Sequence, residues 1–516
     1  MRASVLAYRL AAAAALVFVV WRAALARVPP AAPSPFPPRQ RSDQGVRQAA
    51  PLTLWHLTDT HLNLWHSHTG DVREMCRVNT SERSRHPSAF GHFNCDPSPG
   101  LLELALERMR AAAPQPTLIL WGGDVYGHVP PAREGAAAVA RSQRVQAALI
   151  AKAFPGTTVL PALGNHDTWP YFVSGGDGAT EAKASLAALY LSSQGKGGAP
   201  AAIDLRARGY YAYRLPLHAV WVVALETNML SIADAAGEAR AQLQWLRSVL
   251  DAARREGVEV LLLGHIAPGA SHIDWDSMAA SGWAGGGWTA DSQQAFYHLL
   301  HNFSSVVSAG FFGHLHTESV RLLGARYKGQ RGAARRVNGA QPRSGSPSTA
   351  SGDASLPVMY LSPSLTPRNP TPHQPAVRHF TLTGHRTHGA STDAPRAPSL
   401  AVTRVNDLVF DLEQSNLKRT AVWHMRDVQH ELQLTSFSAS AWARWAESLL
   451  DDALFIRYMS AQRCADEVDA DYGKCKASLF CAMVELEPRP YSRCLKHIRA
   501  NAIPPALWRE AAKRMP

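Results

Sequence analysis

Charged side chains are sparse in this chain of 516 residues, at 18% against 46% hydrophobic. That balance excludes a wholly disordered protein and a multi-span membrane protein, and leaves the soluble globular class. Acidic residues are in deficit, 41 against 53 basic, which gives a formal charge of +12. Such a surface attracts phosphate-rich or membrane-surface partners by long-range steering, but it identifies none of them. Cysteine is scarce as well: Cys76 and Cys95 stand near the start, Cys464, Cys475, Cys481 and Cys494 near the end, and none lies between. An even count in two local clusters points to local disulfide staples if the chain is exported, and to buried thiols if it is not.

Long apolar runs are confined to the beginning. Arg2 and Arg9, the run Leu10 to Trp21 and then Ala24-Leu25-Ala26 follow the charged, hydrophobic and small-residue order of a secretory signal, so residues 1–27 read as a leader. Retention as a tilted anchor, with Arg22 and Arg27 at its edge, is the alternative, because a bilayer core takes about 20 residues to span. Residues 28–51 are a Pro- and Ala-rich linker with no core of their own. The expected location is secreted or in a lysosomal or vacuolar lumen, or tethered by the uncleaved anchor. Asn79-Thr80-Ser81 and Asn302-Phe303-Ser304 have the form of glycosylation acceptors.

From residue 52 one arrangement recurs: a short apolar run rich in β-formers, a polar cluster at its end, then a helical stretch. Leu54 to Thr58 leads into Asp59 and His61, Thr117 to Trp121 into Gly122-Gly123-Asp124, and Thr157 to Leu163 into Gly164-Asn165-His166-Asp167. Further on, Val258 to Leu263 leads into Gly264-His265, and Val306 to Phe312 into Gly313-His314-Leu315-His316. Near-continuous apolar strands alternating with helices such as 100–113 and 238–256 predict an α/β fold whose sheets are covered by helices. Ligands in such folds sit at the carboxyl ends of strands, where these polar clusters fall. Residues 324–355 and 384–400 lack apolar periodicity and read as solvated insertions. Leu408 to Leu412 is expected to end the strand region and a catalytic domain of residues 52–412. Residues 413–516, helical in pattern over 439–512, form a small cysteine-containing C-terminal subdomain.

Divalent cations that activate water at phosphorus take carboxylate, amide-oxygen and imidazole ligands, and two such ions need a bridging carboxylate. Asp59 and His61, two apart at a strand end, suit one ion. Asp124 suits the bridge, Asn165 offers a neutral amide oxygen, and His265, His314 and His316 complete an imidazole-rich set. Each piece alone is commonly a turn, a cap or a surface histidine. Five of them, each ending an apolar run, form a constellation.

Asp59-Thr60-His61, Gly123-Asp124, Gly164-Asn165-His166-Asp167, Gly264-His265 and Gly313-His314-Leu315-His316 resemble the five signature blocks of calcineurin-like metallophosphoesterases. The resemblance implies a four-layer α/β/β/α sandwich. It implies one metal held by Asp59, His61, Asp124 and His316, and a second held by Asp124, Asn165, His265 and His314. It also implies that His166 protonates or stabilises the leaving group while Asp167 orients His166.

Cys76, the stretch Phe90 to Pro99 with Cys95 before Asp96, the spacing of Asp124 and His128, and Pro363 to Pro367 with Asn369-Pro370 resemble the acid sphingomyelinase-like phosphodiesterase branch. In that branch the extra histidine, His128 here, faces the substrate phosphate; the bland reading is that His128 begins an irregular loop. Acid sphingomyelinase itself carries a saposin-like module before its catalytic domain, and residues 28–51 hold no cysteine and are too short for one. Trp169 and Tyr171 either wall the pocket or belong to the core.

The expectation is therefore a metal-dependent phosphoric diester hydrolase. It would use two divalent ions, zinc first and manganese or iron otherwise, on a phospholipid head group or nucleotide. An endopolyphosphatase is the second enzyme reading, and a catalytically dead protein seated on anionic membranes is the reading of another class. No specific nucleic-acid binding is expected.

Overall fold

Leu52–Leu57 (β1) and Leu118–Trp121 (β3) are apolar along almost their whole length and buried on both faces, the signature of parallel strands inside an α/β protein. The computed structural model describes residues 51–77, 88–128, 135–194, 199–216, 218–270, 287–322, 357–368, 373–384, 399–451, 454–455, 472–484, 491 and 493–496. The leader, the linker up to residue 50, Asn79, the insertion 324–355 and residues 385–398 of the second insertion lie outside them.

The strands that follow in the first part of the chain are β2 at His66–Asp71, β4 at Thr158–Pro161, β5 at Tyr211–Arg214, β6 at Val220–Ala224 and β7 at Glu259–Leu263. The second half adds β8 at Val307–Phe312, β9 at Ser319–Leu322, β10 at Val358–Leu361, β11 at Ala376–Gly384, β12 at Leu400–Phe410 and β13 at Trp423–Asp427. Two six-stranded sheets result, in the orders β13-β12-β11-β1-β3-β4 and β5-β6-β7-β8-β10-β9. β1, β3 and β4 run parallel in the first, and β6, β7, β8 and β10 in the second, so the carboxyl ends of these central strands fall together.

The inner faces of the sheets pack on each other, with the Phe311 and Phe380 rings 4.8 Å apart edge to face across the interface. Helices cover the outside. Pro99–Ala112 starts where Ser98 Oγ accepts from the Leu101 amide and Pro99 takes the first turn, and it buries Leu102, Ala105, Leu106 and Met109 on one face. On the second sheet, Ala236–Glu256 and Ala290–Asn302 bury Leu246, Leu250, Phe296 and Leu300 against Val260 and Leu262. Each such side chain contributes roughly 1.5–3 kcal/mol of burial. The layers are helix, sheet, sheet, helix, the four-layer α/β/β/α sandwich that the sequence implied.

The strand region does not stop at Leu412. Asp411 caps a short helix, Leu412–Lys418, and β13 then returns to pair antiparallel with β12. Its sequence, WHMRD, has no buried run because it is an edge strand, which is why the apolar pattern misses it. Helices Ala439–Ser448 and Tyr472–Val484 lie against β9. Tyr360 of β10 meets Trp442 edge to face and donates its hydroxyl to the Phe437 carbonyl at 3.1 Å, so these helices share the main core. Cys481 is bonded to Cys494, and Cys76 to Cys95. Cys464 and the Cys475 side chain are outside the described residues. Both insertions are hung on hairpins: Leu322 pairs with Val358 across the first, Gly384 with Leu400 across the second.

Candidate metal centre

At the carboxyl ends of β1, β3 and β8 the chain turns sharply through residues that glycine would occupy more easily. Asp59, His61, Asp124, His314 and His316 all have φ between 41° and 68°. A left-handed non-glycine residue is uncommon, and five at one place mark a backbone bent to aim side chains inward. Bonds between blocks fix the bends: the amides of Asp59 and His61 donate to the carbonyls of Gly123 and Asp124 at 3.0 and 2.9 Å, and the Gly313 amide donates to His265 at 2.9 Å. Gly313 must be glycine, since a Cβ there would stand 2.2 Å from Asp59 Oδ2.

The bends bring residues spread over some 260 positions into one buried space. Asp59, His61, Asp124 and His316 each place a ligand atom within 4.8 Å of the others, and so do Asp124, His265 and His314. Asn165 Oδ1 lies 3.1 Å from His265 Nε2, which adds the amide to the second group. Asp124 is common to both groups, with Oδ2 3.4 Å from His61 Nε2 and 3.1 Å from His265 Nε2.

The histidine tautomers follow from their outer partners. Nδ1 of His61, His265 and His316 meets the carbonyls of Tyr126, Gly122 and Arg368 at 2.9, 2.8 and 2.9 Å. A carbonyl only accepts, so each Nδ1 carries the hydrogen and each Nε2 turns a lone pair to the centre. Nε2 of His61 and His316 are then 3.1 Å apart, beside the Asp59 and Asp124 carboxylates. Acceptors crowded against acceptors demand positive charge. The same demand is visible in His265: burial opposes its protonation, yet Asp124 and Asp59 raise it to about 10. Carboxylate, amide oxygen and imidazole in these numbers fit a pair of divalent cations.

The remaining predicted residues divide. His166 is half-buried, and the desolvation of its ring lowers its imidazole to about 4. Its amide donates to Asp124 Oδ1 at 2.7 Å, and its ring lies 4.4 Å from that of Tyr171. Asp167 does not orient it. The Asp167 carboxylate accepts from the amides of Asp124, Val125 and Gly164 at 2.9, 2.8 and 2.8 Å and so braces the bend that carries Asp124. Among the described residues His166 Nδ1 has no hydrogen-bond partner. His128 is no idle loop residue: it stacks on His61 with centroids 3.9 Å apart, and His61, His128 and His166 bring ring nitrogens within 4.8 Å of one another. Tyr171 walls the site beside His166, while Trp169 packs edge-on behind it, 5.2 Å away.

One carboxylate escaped the sequence reading. Asp96 accepts from the His128 amide at 2.6 Å and from His128 Nδ1 at 2.9 Å. Its only signal was its place directly after Cys95.

Residues 52–318 match the family described as calcineurin-like phosphoesterase. The chain belongs to that family. Among calcineurin-like phosphoesterases it is similar to acid sphingomyelinase-like phosphodiesterase 3b of Homo sapiens, 26% identical over 485 residues that span 89% of this chain and 93% of that one. It is also similar to the cyclic GMP-AMP phosphodiesterase SMPDL3A of Homo sapiens, 23% identical over 470 residues, 86% of this chain and 90% of that one. A crystal structure of a dimetal phosphatase from Danio rerio aligns with 70% of this chain and 96% of its own at 14% identity, with a TM-score of 0.38. As a calcineurin-like phosphoesterase with groups of Asp and His that could hold metal ions, the chain is a metal-dependent hydrolase of phosphate esters.

Proposed function

We propose that this phosphoesterase is a phosphodiesterase, acting on phospholipid head groups or nucleotides, with two divalent cations at the described centre and zinc as the preferred ion. The observation that carries the reading is the shared carboxylate: Asp124 belongs to both ligand groups, and His128 and His166 face the same space. The relatives named above are phosphodiesterases, which supports a diester over a monoester. Zinc is favoured because imidazole dominates the donor set.

Cations held there supply Lewis acidity and an activated water to the phosphorus centre. The chain supplies the rest. The Nδ1 bonds to carbonyls hold the rings of His61, His265 and His316 in place, and the three amides on Asp167 keep Asp124 between the two groups. His166 and His128 stand with rings 4.7 Å apart where a departing alkoxide would take a proton. An exported location agrees with the two disulfides among the described residues. Among the described residues no helix is long and apolar enough to cross a membrane.

A hydrolysis panel tests the reading: sphingomyelin, a nucleotide phosphodiester, a nucleoside triphosphate and polyphosphate, each with and without chelator. Diester hydrolysis should vanish on chelation and return with zinc or manganese. Cleavage of polyphosphate alone, or activity indifferent to the chelator, would refute it. Chelation should also lower the melting temperature, since ligand at about 100 times its Kd stabilises the folded state by about 2.7 kcal/mol.

A further inference from the structure

The two histidines beside the metal ligands are held differently. Among the described residues His166 Nδ1 has no hydrogen-bond partner, whereas His128 is clamped at two points by one carboxylate. Asp96 Oδ2 accepts the His128 amide and Oδ1 accepts its Nδ1, with Thr366 Oγ1 donating to the same Oδ1 at 3.0 Å. The carboxylate therefore fixes the backbone of His128, the rotation of its ring and its tautomer together. With the Nδ1 hydrogen committed to Asp96, Nε2 is the edge left to face the space shared with His61 and His166.

Asp96 cannot drift from this position. Cys95 before it is bonded to Cys76, Pro97 after it accepts from the Asn63 amide at 2.9 Å, and Ser98 caps a helix. Its own carbonyl accepts from His66 Nδ1 at 3.1 Å. Room for the clamp depends on Gly127, where a Cβ would lie 3.0 Å from Asp96 Oδ2 and 3.2 Å from the His61 carbonyl. Thr366 ties the clamp to the first ligand block, since its amide donates to the Asp59 carbonyl at 3.1 Å.

We infer that Asp96 is a positioning residue for the proposed hydrolysis: it holds His128 with Nε2 toward the scissile ester, and proton delivery to the leaving oxygen runs through that fixed ring. The donating form of His128 is the imidazolium, with its Nδ1 hydrogen on Asp96 and a second hydrogen on Nε2; as the phosphorus–oxygen bond breaks, the electron pair stays on the leaving oxygen, which takes the Nε2 proton. His128 is left neutral with its Nδ1 hydrogen still on Asp96. The water consumed gives its hydroxyl to phosphorus and its proton back to the histidine, so the sum is ester plus water to acid plus alcohol.

The inference rests on the phosphodiesterase reading, and two esters separate them. One has an alkoxide leaving group, which needs the proton; the other has 4-nitrophenolate, which does not. Asp96→Asn keeps size and shape but removes the negative charge and one of the two oxygens that accept from His128, so the ring is no longer held as a charged donor; the equivalent change in the serine protease triad also disables its histidine. It should lower kcat on the alkoxide ester roughly 10²-fold, the low end for general acid catalysis. KM, metal content and the nitrophenyl ester should stay within about threefold of wild type, far inside that range. Asp96→Asn combined with His128→Ala should be no slower than His128→Ala alone, because Asp96 acts through that ring. Equal losses on the two esters, a fall in metal content, or additive effects in the double variant would overturn the inference alone. A wild-type protein that cleaves neither ester overturns the phosphodiesterase reading and this inference with it.

Discussion

Asp124→Ala should yield a folded chain that retains neither cation and hydrolyses phosphodiesters at least about 10³-fold more slowly, several kcal/mol of transition-state stabilisation having gone with the ions. The size of the effect comes from position. Among the described residues Asp124 is the carboxylate that belongs to both ligand groups, and its other oxygen accepts the His166 amide at 2.7 Å. Losing Asp59 would strip one group; losing Asp124 strips both and frees the loop that carries His166. Asp124→Asn separates charge from shape, since the amide oxygen can still accept from His166 while the bridge loses its negative charge. It should hold less than one cation per chain yet melt close to the chelated wild type. Elemental analysis beside kcat decides the matter: two cations per chain and undiminished turnover in Asp124→Ala would remove the bridging assignment.

The centre was legible because parallel strands buried on both faces leave a plain trace. An apolar run ending in a polar cluster marks a carboxyl end, and β1, β3, β4, β7 and β8 each ended in Asp, Asn or His. Helices read at 100–113 and 238–256 lie at Pro99–Ala112 and Ala236–Glu256 for the same reason, a single periodic apolar face. What adjacency could not supply was direction. Asp167 follows His166 yet turns its carboxylate to three amides, while Asp96, 32 positions before His128, holds that ring. At sharp turns the backbone angle sets where a side chain points, and neighbours in sequence diverge. The edge strands β9 and β13 were illegible for another reason. SVRL and WHMRD carry charge into the sheet, and charge reads as surface unless its distant partners are known.

Those partners form the other large expected effect. Arg378 of β11 is buried among two carboxylates, with Nε and an Nη on Asp407 at 2.6 and 2.7 Å, a further contact to Glu318, and an Nη on the Leu361 carbonyl at 3.3 Å. Arg426 of β13 adds bonds of 2.6 Å to both carboxylates. Arg378→Met should therefore cost about 3–5 kcal/mol, because it leaves two buried anions facing one cation. The loss should reach the metal centre, since Glu318 stands two residues beyond His316. It should also reshape acid stability. Burial works to raise the Asp407 carboxyl, but Arg378 and Arg426 outweigh it and hold the group below the usual carboxylate range. A carboxylate lowered on folding stabilises the protein fully above its unfolded pKa, near 4, and loses that contribution as pH falls through the folded value. Arg378→Met should thus narrow the stability gap between pH 7 and pH 3. Arg378→Met with Asp407→Leu, which leaves Glu318 to Arg426 alone, should recover part of the melting temperature. A double variant as unstable as the sum of its parts would show that packing of the Arg378 stem, and not the paired charges, sets the cost.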